Sequence, residues 1–252
     1  LLCLCTPQNP TGTVLNKDSL EQICKLVVEE NKRRSDSEKK LYVMFDQMYW
    51  MLTFGNTKHT SPVLLNPEMK QYTIFIDGIS KAFAATGVRI GWAMGPAHVI
   101  SRMKAVLSHI GAWAPTAEQR ATAKFLQQKD SIEKYLSNYK TEIEHRLKQI
   151  HEGFISLKND GFSVDSIPPK AAIYLTIRFD LVGKTTTDGR KLQTQEDVTS
   201  YLLSEAKLAV VPFYAFGAKK DSPWYRLSVG TCKKEEIQEM LGMLKKALSL
   251  LK

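Results

Sequence analysis

Three short apolar runs constrain the fold of this chain more than anything else in it: LLCLC (Leu1–Cys5), LYVMFD (Leu41–Asp46) and YTIFID (Tyr72–Asp77). None of them alternates apolar with polar residues, as a strand with one wet face does, so each reads as a strand buried on both faces. Between the first two lies a segment of helical period. Leu20, Ile23, Cys24, Val27 and Val28 recur at three–four spacing from Lys17 to about Glu30, with Asn16 placed to cap the start. Strand, helix, strand with continuous apolar strands argues for a parallel sheet covered on both sides. RIGWAMG (Arg89–Gly95) reads as a fourth strand, and the charge-rich EENKRRSDSEKK (Glu29–Lys40) as a solvated loop.

Past Ala97 the pattern turns helical. Ile100, Met103, Leu107 and Ile110 form one stripe. Ile132, Leu136, Tyr139, Ile143, Leu147, Ile150, Phe154 and Leu157 form a longer one, stopped by Asn159-Asp160-Gly161 and long enough to bridge two domains. The remainder switches to short strands: FSVDSI, AIYLTIRF, LAVVPF and WYRLSVGT. A polar excursion (Gly183–Asp197) ends in Thr194-Gln195-Glu196-Asp197, a capping sequence for a following helix. Ile237, Met240, Leu241, Leu244, Leu248 and Leu251 predict a closing amphipathic helix. The expected class is α/β: a partial large domain over residues 1–145, with a three-layer, mainly parallel sheet, then a smaller α+β domain over residues 146–252.

Composition narrows the function. The formal charge of +9 would suit a polyanion, but Lys and Arg are scattered over amphipathic segments and aromatics do not interleave with them. That distribution argues against nucleic acid and fits anionic small molecules equally well. No apolar run approaches the ~18 residues that a membrane span needs. Cys3, Cys5, Cys24 and Cys232 form no Cys-x-x-Cys pair and read as reduced, mostly buried thiols of an intracellular protein. His59, His98, His109, His145 and His151 never fall at metal-ligand spacing and read as helix-surface residues, so no metal is expected.

In open parallel sheets, ligands sit beyond the carboxyl ends of the strands. Asn9 follows the first run, Asp46 ends the second and Lys81 comes just after the third. Alone, an Asn-Pro step is a turn, an aspartate a cap and a lysine a surface residue; on one rim they make a candidate site. GISKAFAATG surrounds Lys81 with small residues, as if its stem were partly buried. A neutral amine, the form that desolvation favours, attacks carbonyls to make a Schiff base.

These residues carry a resemblance. NPTG (Asn9–Gly12), DQMY (Asp46–Tyr49), SKAFAATGVRIGW (Ser80–Trp92, with Lys-x7-Arg from Lys81 to Arg89) and YRLS (Tyr225–Ser228) resemble, in order, signatures of class I/II aminotransferases. These are fold-type-I enzymes dependent on pyridoxal 5'-phosphate. VVPFYAFG (Val210–Gly217) resembles a small-domain motif of the same family, with Phe213-Tyr214 where members often carry Gly-Ser.

The resemblance implies a role for each residue. Lys81 would hold the cofactor as a Schiff base and, once freed, shuttle the substrate proton; Asp46 would pair with the pyridine nitrogen. Tyr49 and Asn9 would hydrogen-bond the phenolic oxygen. Arg89 and Ser80 would hold the phosphate. Arg226, with Asn9, would bind the substrate α-carboxylate through its planar fork. Lys81, Asp46 and Tyr49 are thus the catalytic candidates, and a cis Asn9–Pro10 bond is expected.

The implied reaction moves an amino group between an L-amino acid, favoured to be aspartate- or glutamate-like, and a 2-oxo acid. The implied protein is a cytoplasmic homodimer without nucleic-acid or membrane partners, an organelle remaining open. Members carry a substantial portion before the first strand, including a phosphate loop and a stacking aromatic. The chain is therefore expected to be a C-terminal fragment, with open sheet edges, that binds cofactor poorly and is inactive alone. The alternatives are another pyridoxal-phosphate reaction on the same scaffold (β-elimination, decarboxylation or aminocyclopropane-carboxylate synthesis) and a non-catalytic regulatory module that kept the fold.

Overall fold

The computed structural model describes residues 1–252. The chain divides into two compact units, one formed by residues 1–8 and 13–138, the other by residues 9–12 and 139–252.

In the first unit, β1 (Leu2–Cys5), β2 (Val43–Asp46), β3 (Thr73–Gly78) and β4 (Gly91–Met94) form a sheet in that order. β1, β2 and β3 are mutually parallel, with Cys5 opposite Asp46 and Asp46 opposite Ile76. β4 runs antiparallel to β3. It reverses because the segment from Gly78 to Gly91 contains no crossover helix, which a parallel partner requires. The sheet is mainly parallel, as the apolar runs required.

Helix α1 (Lys17–Arg33) begins where Asn16 Oδ1 accepts the Ser19 N–H at 2.7 Å. It lays Leu20, Cys24, Val27 and Val28 against Val43, Phe45 and Met69, with Leu2, Leu4 and Phe75 packed around them. The opposite face is less well sealed. Cys3 is exposed, and Met44, Ile74 and Ile76 are half-buried, so within this unit double covering holds on one face only. The charge-rich stretch read as a loop is helical as far as Arg33. Glu30 accepts from both Arg33 and Arg34 at 2.9 Å, the three- and four-residue pairs that prolong a helix. Lys40 then ties down the helix end, donating to the carbonyls of Arg34 at 2.8 Å and Asn31 at 3.2 Å. After the short α2 (Pro62–Leu65) come α3 (Ala97–Ile110) and α4 (Thr116–Phe125). The α3 stripe is only half-buried, and Ile110 is exposed.

α5 (Lys129–Asn159) runs to a turn at Gly161, whose φ is +92°. In the second unit its Ile143, Leu147, Ile150, Phe154 and Leu157 are buried. The partner sheet comprises β5 (Val164–Ser166), β6 (Tyr174–Phe179), β7 (Val211–Pro212) and β8 (Trp224–Ser228), in the order β5-β6-β8-β7 and antiparallel throughout. Phe179 sits edge-on between Phe154 and Tyr225. α6 (Gln195–Glu205) opens on a capping box in which Thr194 Oγ1 accepts the Asp197 N–H and Asp197 accepts the Thr194 N–H. α7 (Ile237–Ser249) buries Ile237, Leu244, Ala247 and Leu248.

Two further sequence expectations need correction. Of the four thiols only Cys24 is buried, because Cys3 lies on the poorly covered sheet face. His59 is not on a helix: it lies after the β2 turn with both ring nitrogens buried. No helix is long and apolar enough to cross a membrane.

Candidate active site

Because β1, β2 and β3 are parallel, their carboxyl ends share one edge of the sheet. Asp46 ends β2 there, its Oδ1 accepting the Met48 N–H at 3.0 Å and so tightening the turn that follows. Tyr49, in that turn, is 3% exposed. Ser80 and Lys81 follow β3 at the same edge, both half-buried. The Lys81 stem is therefore partly desolvated, as its small neighbours suggested, and its ammonium engages no acid. Arg89 directly precedes Ile90 and β4, in left-handed backbone (φ +62°), and donates to the Thr86 carbonyl at 2.8 Å. A non-glycine residue in that region pays ~1–2 kcal/mol of steric strain.

The sequence reading missed Asp77. YTIFID ends in aspartate just as LYVMFD does, which was the available signal. Asp77 is 6% exposed and accepts from the Gly78 N–H at 2.7 Å, the Trp50 indole N–H at 2.8 Å and the Gln47 amide at 3.4 Å. It stands one step beyond Ile76, the residue paired with Asp46, so the pleat sends the two carboxylates to opposite faces. Burial pushes the Asp77 carboxyl up, against its hydrogen bonds; the nearby charge of Asp46 adds to the rise. The Trp50 ring lies 6.3 Å from that of His59, which in turn lies 5.9 Å from Phe45. Burial drives His59 down to about 4.

In the second unit, Arg226 on β8 donates Nη1 to Asn9 Oδ1 at 2.9 Å. Its guanidinium carbon lies 4.7 Å from the Tyr174 ring centre and 4.8 Å from that of Phe216, while its Nε–H is buried without an acceptor. Asn9 is brought there by its own motif. The Asn9–Pro10 bond is cis, as is Thr6–Pro7. The Gly12 carbonyl accepts the Ala171 N–H at 3.0 Å, and the Thr11 carbonyl accepts Thr176 Oγ1–H at 2.8 Å. Gly12 has φ +68°, and a Cβ there would stand 2.3 Å from the Tyr174 carbonyl oxygen, so only glycine fits.

Over residues 1–244 the sequence matches the family model described as aminotransferase class I and II. The chain belongs to this family. It is 29% identical over 235 residues to a probable aspartate/prephenate aminotransferase of Rhizobium leguminosarum bv. phaseoli, covering 93% of this chain and 54% of that protein. It is 30% identical to a bifunctional aspartate aminotransferase and glutamate/aspartate-prephenate aminotransferase of Petunia hybrida, covering 100% of this chain and 49% of the relative. Among solved structures, the aspartate aminotransferase of Rhizobium meliloti superposes with a TM-score of 0.84 at 27% identity, covering 99% of this chain and 58% of the other. An aromatic aminotransferase from Pyrococcus horikoshii OT3 gives 0.83 at 29% identity, covering 98% and 59%. The chain thus spans about half the length of the curated relatives it matches.

Proposed function

We propose that this aminotransferase-family chain supplies residues of a pyridoxal 5'-phosphate site that serves the exchange of an amino group between an L-amino acid and a 2-oxo acid. The observation that carries the reading is a half-buried lysine without an acid partner, placed just after a strand whose parallel neighbour ends in Asp46. The donor set in the first unit suits the group: an amine for an aldehyde, a carboxylate for a pyridine nitrogen, a phenol for a phenolic oxygen, a guanidinium and a hydroxyl for a phosphate. Bound there, pyridoxal phosphate supplies a carbonyl for amine exchange and a ring that withdraws electrons from the substrate α-carbon.

The residues then divide the work. Lys81 Nζ would take the proton from the substrate Cα and deliver it to the cofactor's former carbonyl carbon, a transfer made efficient by tethering the amine at the reaction centre. Asp46 keeps a proton on the ring nitrogen by opposite charge. Tyr49 and Asn9 serve the phenolic oxygen as hydrogen-bond donors, and Ser80 and Arg89 hold the phosphate. Arg226 would offer its unpaired Nε–H and its fork to the substrate α-carboxylate. The functional division we propose is residues 1–145 for cofactor chemistry and 146–252 for substrate binding, in a homodimeric, cytoplasmic protein.

An aspartate- or glutamate-like donor is the favoured substrate, supported by the names of the relatives. An aromatic donor is the second reading, favoured by the Tyr174 and Phe216 rings beside Arg226. The test is borohydride reduction of the full-length protein with pyridoxal phosphate, followed by peptide mapping and an amino-transfer assay over acidic and aromatic donors. Label on Lys81 with transfer is expected. Label elsewhere, or products of elimination or decarboxylation, overturns the reading.

A further inference from the structure

We propose that Asp77 is a positioning residue for Asp46 and Tyr49, acting through the indole of Trp50. This rests on the reading that Lys81, Asp46 and Tyr49 serve one bound cofactor. The turn after β2 begins at Asp46 and carries Tyr49; the loop after β3 carries Ser80 and Lys81. Two strand ends that hydrogen-bond only along their backbones can still let such loops shift independently. Asp77 joins them. Its Oδ1 accepts the Gly78 N–H at 2.7 Å on the β3 side, and its Oδ2 accepts the Trp50 indole N–H at 2.8 Å and the Gln47 amide at 3.4 Å on the β2 side. One carboxylate thereby fixes the acid-and-phenol turn to the strand that leads into the lysine.

Two further observations fit a positioning role better than simple packing. Asp77 is a buried carboxyl, which costs stability that an apolar residue would not. The Trp50 ring, although partly exposed, also lies 6.3 Å from the His59 ring at a tilt of 44°, a second contact that limits its rotation while its N–H meets Asp77. A carboxylate held by preorganised donors can locate the turn to within a fraction of an ångström, the tolerance that proton transfer at a reaction centre demands.

The test compares Trp50→Phe, Asp77→Ala and the double variant in the protein loaded with pyridoxal phosphate. Trp50→Phe removes the indole N–H while keeping an aromatic ring. We expect it to lower kcat about tenfold with KM for the amino donor within about twofold. It should also move the pH midpoint of the absorbance of the lysine-bound cofactor. Asp77→Ala should act in the same direction, and the double variant should lose little more than Asp77→Ala alone, because both remove one interaction. A Trp50→Phe protein with wild-type kcat, or with an unmoved midpoint, overturns the proposal, as do additive losses. If Asp77→Ala fails to fold, Trp50→Phe decides alone. Borohydride labelling separates the two ideas: absence of label at Lys81 sinks the functional reading, whereas label at Lys81 with an unaffected Trp50→Phe protein sinks this proposal only.

Discussion

Arg226 donates its Nη1–H to Asn9 Oδ1 at 2.9 Å across 217 residues of sequence. The contact fixes one edge of the guanidinium, while the rings of Tyr174 and Phe216 hold its plane. Lysine has neither a plane to stack nor a fork to share between Asn9 and a carboxylate. Arg226→Lys is therefore expected to raise KM for the amino donor about 10- to 100-fold, with a smaller effect on kcat. Steady-state kinetics checks this, and an unchanged KM would remove Arg226 from the substrate site.

Lys81 supplies both attachment and proton transfer in the proposed chemistry. Lys81→Ala should cost roughly three orders of magnitude or more in turnover and abolish borohydride labelling at that position. Turnover retained in the alanine variant excludes the mechanism.

Gly12 sits in left-handed backbone against the Tyr174 carbonyl. Gly12→Ala is expected to destabilise the chain by about 2–4 kcal/mol, combining backbone strain with a steric clash that no side-chain rotation relieves. Urea unfolding monitored by circular dichroism measures it, and a change under ~1 kcal/mol would mean the segment can move away.

His59 titrates at about 4 in the folded chain against an ordinary 6.5. Its folded value is depressed, so as pH falls the unfolded state takes the proton first. The stability is fully present above 6.5, drains away between 6.5 and about 4, and is not lost further below that. Neither ring nitrogen has a partner to lose. His59→Phe should thus flatten the fall in melting temperature over that window and gain up to about 3 kcal/mol at its lower end. An unchanged pH profile would show that other groups govern it.

Much of this architecture was legible because burial leaves a periodic trace. The apolar runs, the α1 stripe, the Thr194 capping box and the stop at Gly161 are local patterns, and each became the element it announced. α4 left no such trace: TAEQRATAKF offers alanines and one phenylalanine, with no stripe to read. The helical extension to Arg33 was hidden for a similar reason, since ion pairs along a helix surface look like any charged loop.

The site divides in the same way. Sequence alone determined which residue types stand at the strand ends, because continuous apolar runs need no partner to declare where they stop, and ordered motifs tie Asn9, Asp46, Lys81, Arg89 and Arg226 to a family. Only the tertiary structure decided that Asn9, four residues past the end of β1, packs with the unit holding Arg226, and that Asp77 reaches back to Trp50. Hydrogen-bond partners far apart in the chain are chosen by register and packing. Periodicity records how deeply a residue is buried; it holds no record of what that residue faces.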